Sequence, residues 1–109
     1  MNDHDLHAYT ARNREIWNRL AEPRRVLLPP PAFFAAGGST LEACEVQALG
    51  PVAGKRMLHL QCASGNETLS WAARGVQVVG VDISEVAIAI AREQARQAGL
   101  AAEFVAADV

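Results

Sequence analysis

The sequence predicts an α/β chain: a parallel sheet of about three strands, doubly wound with helices on both faces, preceded by N-terminal helices. Three observations lead there. From residue 39 onward short apolar runs alternate with helix-length stretches, the pattern of βαβ units with right-handed crossovers. Half of the 109 residues are apolar and 20% are charged, which favours a packed core over disorder. The strand candidates end at a turn of small residues or at an acid, and parallel sheets bind ligands beyond the carboxyl ends of their strands.

Two parts are expected: a helical lid with a Pro-rich segment over 1–38, and the sheet over 39–109. In the first, Leu6, Tyr9, Ile16, Trp17 and Leu20 recur at helical spacing, giving an apolar stripe. Pro23 should stop that helix near residue 21. Residues 26–38 are apolar, rich in proline and end in Gly37-Gly38. Ser39-Thr40-Leu41-Glu42 has the spacing of a capping box, with Leu41, Cys44, Ala48 and Leu49 as the apolar side of the helix it opens and Gly50-Pro51 as its stop.

The first strand is expected at Met57–Gln61 and the second at Val76–Val81, the latter β-branched on both parities as in a strand buried on both faces. Asn66 to Arg74 between them reads as a helix, with Asn66 as N-cap and Gly75 just past its end. Ser84 is a good N-cap for a longer helix whose apolar face is Ile83, Val86, Ala87, Ile90, Ala91, Gln94, Ala95 and Ala98, stopped at Gly99. Phe104–Ala106 is the core of a third strand. The expected spatial order is third, second, first.

Chemistry-bearing residues gather at the strand ends. In the turn Gln61-Cys62-Ala63-Ser64-Gly65 small side chains let a ligand approach the backbone, and the amides opening the next helix face the same space. The bland reading is a tight βα turn. Asp82 ends the second strand, where a carboxylate can accept both hydroxyls of a ribose; its bland reading is a helix cap, a role for which it competes with Ser84. Asp108 ends the third strand, where it could read an adenine edge or be a plain loop acid. His59, alone in an apolar strand, reads as a satisfied core residue. A helix N-terminus beside Cys62 would lower its pKa, but no partner makes it a nucleophile, so packing is the better reading. Cys44 and Trp17 are expected in the core, the alternative for Trp17 and Tyr9 being a lid over a ligand.

Ten Lys and Arg face twelve Asp and Glu, for a net charge of −2. That argues against nucleic acid as a partner, since phosphate binding needs a basic surface. Two cysteines are too few for a disulfide framework, and a reducing, cytoplasmic compartment is expected. Met1-Asn2-Asp3-His4-Asp5 is polar and acidic, so no Sec-type leader is expected. The longest apolar run, Val26 to Ala36, is broken by Pro29, Pro30 and Pro31 and is too short to span a membrane. His4, His7 and the two cysteines have no metal-ligand spacing, and no metal is expected.

Taken together, Leu58-His59-Leu60-Gln61-Cys62-Ala63-Ser64-Gly65-Asn66-Glu67-Thr68, Val79-Gly80-Val81-Asp82-Ile83-Ser84 and Phe104-Val105-Ala106-Ala107-Asp108-Val109 resemble class I S-adenosylmethionine-dependent methyltransferases, which have a Rossmann-like sheet. Asn13-Arg14-x-x-Trp17 fits a bacterial branch whose glycine-rich turn has become Leu-Gln-Cys-x-x-Gly. The resemblance implies S-adenosyl-L-methionine as cofactor, with its methionine part on Gln61, Cys62, Ala63, Ser64 and Gly65. It implies ribose on Asp82, Ile83 beside the adenine, and Asp108 and Val109 at the adenine edge. It leaves the catalytic residues unassigned, and a small-molecule methyl acceptor is expected. His59 stands where most of the superfamily has an acid, and Gln61 and Ala63 stand where it has glycines, so side chains narrow the cofactor's space. The alternatives are a fragment of an NAD(P)-dependent oxidoreductase, against which the turn lacks G-x-G-x-x-G, and a non-catalytic remnant or interaction module.

The family's sheet continues beyond a third strand, so the chain is expected to be a fragment, inactive on its own. The second edge of the first strand should lack a partner, which predicts marginal stability and self-association through that edge.

Overall fold

A computed structural model describes residues 2–108. Nine elements follow in order: α1 (Asp3–Arg24), a 3₁₀ turn (Arg25–Leu27), α2 (Pro31–Ala35), α3 (Ala43–Leu49), β1 (Arg56–Leu60), α4 (Asn66–Ala73), β2 (Gln77–Asp82), α5 (Glu85–Ala98) and β3 (Glu103–Ala106). The strands form one parallel sheet in the order β1-β2-β3, as the alternation predicts.

The expectation of helices on both faces is overturned. Register places Met57 beside Val78, and His59 beside Gly80, which in turn pairs with Phe104. Side chains alternate between faces along a strand, so these five residues share one face. Against it pack Leu69 and Trp71 of α4, Ile88, Ala91 and Ala95 of α5, Phe34 of α2 and Val46 of α3. On the opposite face Leu58 is 62% exposed, Leu60 52% and Val105 45%. Topology explains this. Two right-handed crossovers stepping in the same direction across a sheet put both helices on the same side. The second face is reached only where strand order reverses. Among the described residues β1 pairs with β2 alone, so its other edge is open.

Pro23 does not stop α1 near residue 21; the helix runs to Arg24 with Pro23 inside it. In the last turn a proline forfeits a single amide bond, and the chain is already tightening, since Arg25 N–H bonds to Glu22 O and Leu28 N–H to Arg25 O. Nor is the stripe of α1 a core seam: Leu6, Tyr9, Ile16 and Trp17 are all exposed, and Ala21 alone is buried, against Ala87 and Ile90 of α5. The Ser39 capping box is also displaced. Ser39 Oγ accepts from the Leu41 amide in a local turn, and α3 starts at Ala43, where the Glu45 carboxylate accepts from Glu42 N–H at 2.8 Å. Cys44 is exposed rather than core.

Asn66 opens α4 but is not its cap. Gly65 takes that place at φ 88°, and a Cβ there would lie 3.0 Å from Ala91 Cβ and from the Phe104 ring. α5 is as expected: Ser84 Oγ accepts from Ala87 N–H at 3.0 Å, and Gly99 ends the helix. Arg92 donates through Nε and Nη2 to Phe104 O, tying α5 to β3.

Candidate functional site

The carboxyl ends of the three strands and one face of α1 enclose a cavity of about 390 Å³, within the size range of small-molecule sites. Its floor is Gln61, Ala63 and Ser64 from the β1–α4 turn, Asp82, Ile83 and Ser84 from the β2–α5 turn, and Asp108 after β3. Its wall is Asn13, Trp17, Leu20, Ala21 and Arg24, which recur at helical spacing along α1. Trp17, for which the sequence favours the core, is 47% exposed and lines this wall; the Arg24 guanidinium lies 5.7 Å from its ring centroid.

The turn after β1 has an unusual backbone. Gln61 and Ala63 sit at φ 55° and 51°, in the left-handed region. An L side chain there costs roughly 1–2 kcal/mol. The turn thus keeps a glycine-like path at the two positions that lack glycine. Cys62 and Gly65 lie behind it, both buried. Cys62 N–H donates to Val81 O at 2.9 Å and packs its sulfur in the core cluster beside Phe104. Burial, with Asp82 nearby, pushes the thiol up to about 11. The lowering expected from the helix N-terminus is therefore overridden by desolvation. His59 is half-buried, and its Nδ1 is 2.7 Å from Thr68 Oγ1.

Asp82 is a brace before it is anything else. Its Oδ2 accepts from Ala63 N–H and its Oδ1 from Ser84 N–H, both at 2.9 Å. The expected contest for the cap of α5 is thus resolved: Ser84 caps, and Asp82 ties the two turns together. A carboxylate oxygen has about two acceptor sites, so each oxygen keeps one for a ligand hydroxyl. Asp108 Oδ2 lies 3.5 Å from Thr10 Oγ1 of α1. Val109 lies outside the described residues.

Sequence reasoning missed Asn18. Its Oδ1 accepts from Ser84 Oγ at 2.7 Å and from Val86 N–H at 3.3 Å, seating α1 on the start of α5. Arg14 of α1 pairs with Glu85 nearby. No local signal marks a polar residue whose partner is 66 positions away. Leu20, Ala21 and Arg24 were missed for the same reason.

A methyltransferase-domain family model matches residues 57–109. By that match this segment is similar to methyltransferase domains. Over 66 residues the chain is 46% identical to a 23S rRNA (uracil(1939)-C(5))-methyltransferase of Azoarcus, covering 59% of this chain and 15% of that protein. Over 59 residues it is 34% identical to a ubiquinone biosynthesis O-methyltransferase of Ralstonia nicotianae, covering 54% of this chain and 25% of that protein. The chain therefore spans a quarter or less of these curated relatives. A solved TehB-like SAM-dependent methyltransferase from Corynebacterium glutamicum shares the fold at 24% identity and a TM-score of 0.51, over 93% of this chain and 46% of that one. No helix among the described residues is long and apolar enough to cross a membrane.

Proposed function

We propose that the cavity binds S-adenosyl-L-methionine and that the chain serves methyl transfer from it. The observation that carries this reading is the meeting of three strand ends at one cavity, with a braced Asp82 in the middle that keeps free acceptor capacity. Gly65, whose place a Cβ would crowd, and the left-handed path at Gln61 and Ala63 keep the turn's backbone close to the floor. The residues fit the cofactor in sequence. Gln61, Ala63 and Ser64 would face its methionine part, with Cys62 and Gly65 shaping the turn from behind. Asp82 would accept from the vicinal ribose hydroxyls. Ile83 would lie against the adenine, and Asp108 would meet the adenine edge.

Bound S-adenosylmethionine supplies a methyl group on a positively charged sulfur. The chain's own residues contribute positioning, the main requirement for such a transfer. Asp82 orients the nucleoside, and α1, seated by Asn18, closes one side against water as a lid. The acids lining the cavity are Asp82 and Asp108, both assigned to the nucleoside, so any base for the acceptor lies elsewhere. We read the acceptor as a small molecule. A net charge of −2 supports that, as does the relative named for ubiquinone biosynthesis; the relative named for 23S rRNA aligns over only 15% of its length. The two free thiols fit a reducing cytoplasm. The bare sheet face and open β1 edge support self-association, which light scattering reads directly.

Calorimetric titration with S-adenosylmethionine and with NAD tests the cofactor. Saturable heat with the first alone is expected. Saturable heat with NAD alone, or with neither, overturns the reading.

A further inference from the structure

The sheet face that no helix covers carries an apolar patch and two opposite charges. Side chains alternate along each strand, so register sets this face out in rows: Arg56 beside Gln77, Leu58 beside Val79 and Glu103, and Leu60 beside Val81 and Val105. Leu58, Leu60 and Val105 are exposed, and Val79 is half-buried. One groove joins Arg56, Leu58, Gln77, Val79 and Glu103. Arg56 on β1 and Glu103 on β3 stand at opposite corners of the patch, both exposed. No ion pair joins them within one copy, and among the described residues neither has another ion-pair partner.

We propose that this face seats a second copy of the chain, stacked sheet on sheet about a two-fold axis along β2, with Arg56 of each copy paired to Glu103 of the other. The proposal deepens the self-association reading above and rests on it, not on the cofactor; it selects the sheet face over the open β1 edge. Pairing at the edge lengthens the sheet and leaves Leu58, Leu60 and Val105 in water. Stacking removes them from water, which is the main drive to association. An axis along β2 lays β1 of one copy over β3 of the other. Leu60 then faces Val105 of the second copy, and Val79 faces its own counterpart. Arg56 stands one row, about 7 Å, from Glu103 of the second copy across a gap of about 10 Å. The two side chains point towards each other, and that separation is within their combined reach. An axis across the strands would stack β1 on β1 and leave both charges without counterparts. The arrangement along β2 puts apolar residues at the centre and matched charges at the rim, the usual anatomy of an interface. Two-fold symmetry repeats each pair, and it places both cavities at the same end of the dimer.

Sedimentation of the whole chain over a range of concentrations reads the pairing. The unmodified chain is expected to show a monomer–dimer equilibrium. Arg56→Glu sets two acids against each other, and Glu103→Arg sets two arginines. Each alone should weaken the dimer roughly tenfold or more, because like charges facing across an interface are costly. The two single variants complement one another, so an equimolar mixture should regain the dimer, as should the double variant. Recovery in the mixture cannot come from a contact within one copy. Weakening by Arg56→Glu with no effect of Glu103→Arg assigns the association to the β1 edge and overturns the proposal. Association that neither variant alters, or a mixture that does not recover, also overturns it. A chain that stays monomeric throughout overturns both the proposal and the self-association reading. Circular dichroism checks that each variant is folded. If a charge reversal unfolds the chain, Arg56→Gln and Glu103→Gln carry the comparison: a weaker dimer with both supports the proposal, and an unchanged dimer contradicts it.

Discussion

The two strand-to-helix turns on the cavity floor lie side by side and are built in opposite ways. After β2, the turn Asp82-Ile83-Ser84 satisfies itself: Ser84 at φ −83° caps α5 with its hydroxyl, and Asp82 receives the Ser84 amide. After β1, the turn passes through three left-handed residues, Gln61, Ala63 and Gly65, and α4 begins without a side-chain cap. The second turn leans on the first, because the Ala63 amide finds its acceptor on Asp82. The difference teaches where specificity and strain reside. A capped, relaxed turn supplies fixed charge; a strained, small-residue turn supplies bare backbone, and it holds its shape by borrowing an acceptor from its neighbour.

Four perturbations break or sharpen that contrast. The largest effect is expected from Asp82→Ala, which removes the shared brace. It should weaken S-adenosylhomocysteine by about 1–3 kcal/mol and lower the melting temperature too, since two amides lose their acceptor. Calorimetry and a thermal melt read the two effects. Unchanged affinity would remove Asp82 from the site. Next is Ser84→Ala, which removes the cap of the relaxed turn and that turn's bond to α1. Loss of its cap and of its bond to Asn18 should cost about 1–2 kcal/mol in urea unfolding. A cost as large in an Asn18→Ala background would show that the two residues are not coupled.

Ala63→Gly works in the other direction. Relief of left-handed strain outweighs the added freedom of the unfolded chain, so a gain of about 0.5–1 kcal/mol is expected; a loss would mean that the Ala63 methyl packs productively. The smallest effect concerns the thiols. Cys62 is buried with its pKa raised to about 11 from 9.0, and Cys44 is exposed. At pH 8 a thiol reagent should label Cys44 and spare Cys62. The native state holds the Cys62 proton where the unfolded chain has released it. Stability is therefore complete below pH 9 and falls as pH rises towards 11; mass spectrometry of labelled peptides and an alkaline unfolding series check both.

Much of this was readable in the sequence, and the limits have physical causes. Parallel pairing, strand order and α5 follow from local periodicity and the Ser84 and Gly99 signals. The single-sided cover did not, although crossover handedness implies it once strand order is known. Pro23 misled because a proline is costly mid-helix and cheap in a last turn. Cys44 misled because an apolar stripe shows only that a face could be buried. Of the site, the strand-end residues were legible as a class. The glycine-like backbone at Gln61 and Ala63, and the seating of α1 through Asn18, depend on contacts distant in sequence.

The most direct test of the account is an amide ¹H–¹⁵N spectrum of the chain titrated with S-adenosylhomocysteine. The account predicts saturable shifts at Ala63 and Ser64 in one turn, at Ile83 and Ser84 in the other, and at Asp108, with Leu58 and Val105 on the bare sheet face unmoved. Shifts confined to the bare face, or no shifts at the two turns at saturating ligand, would contradict it.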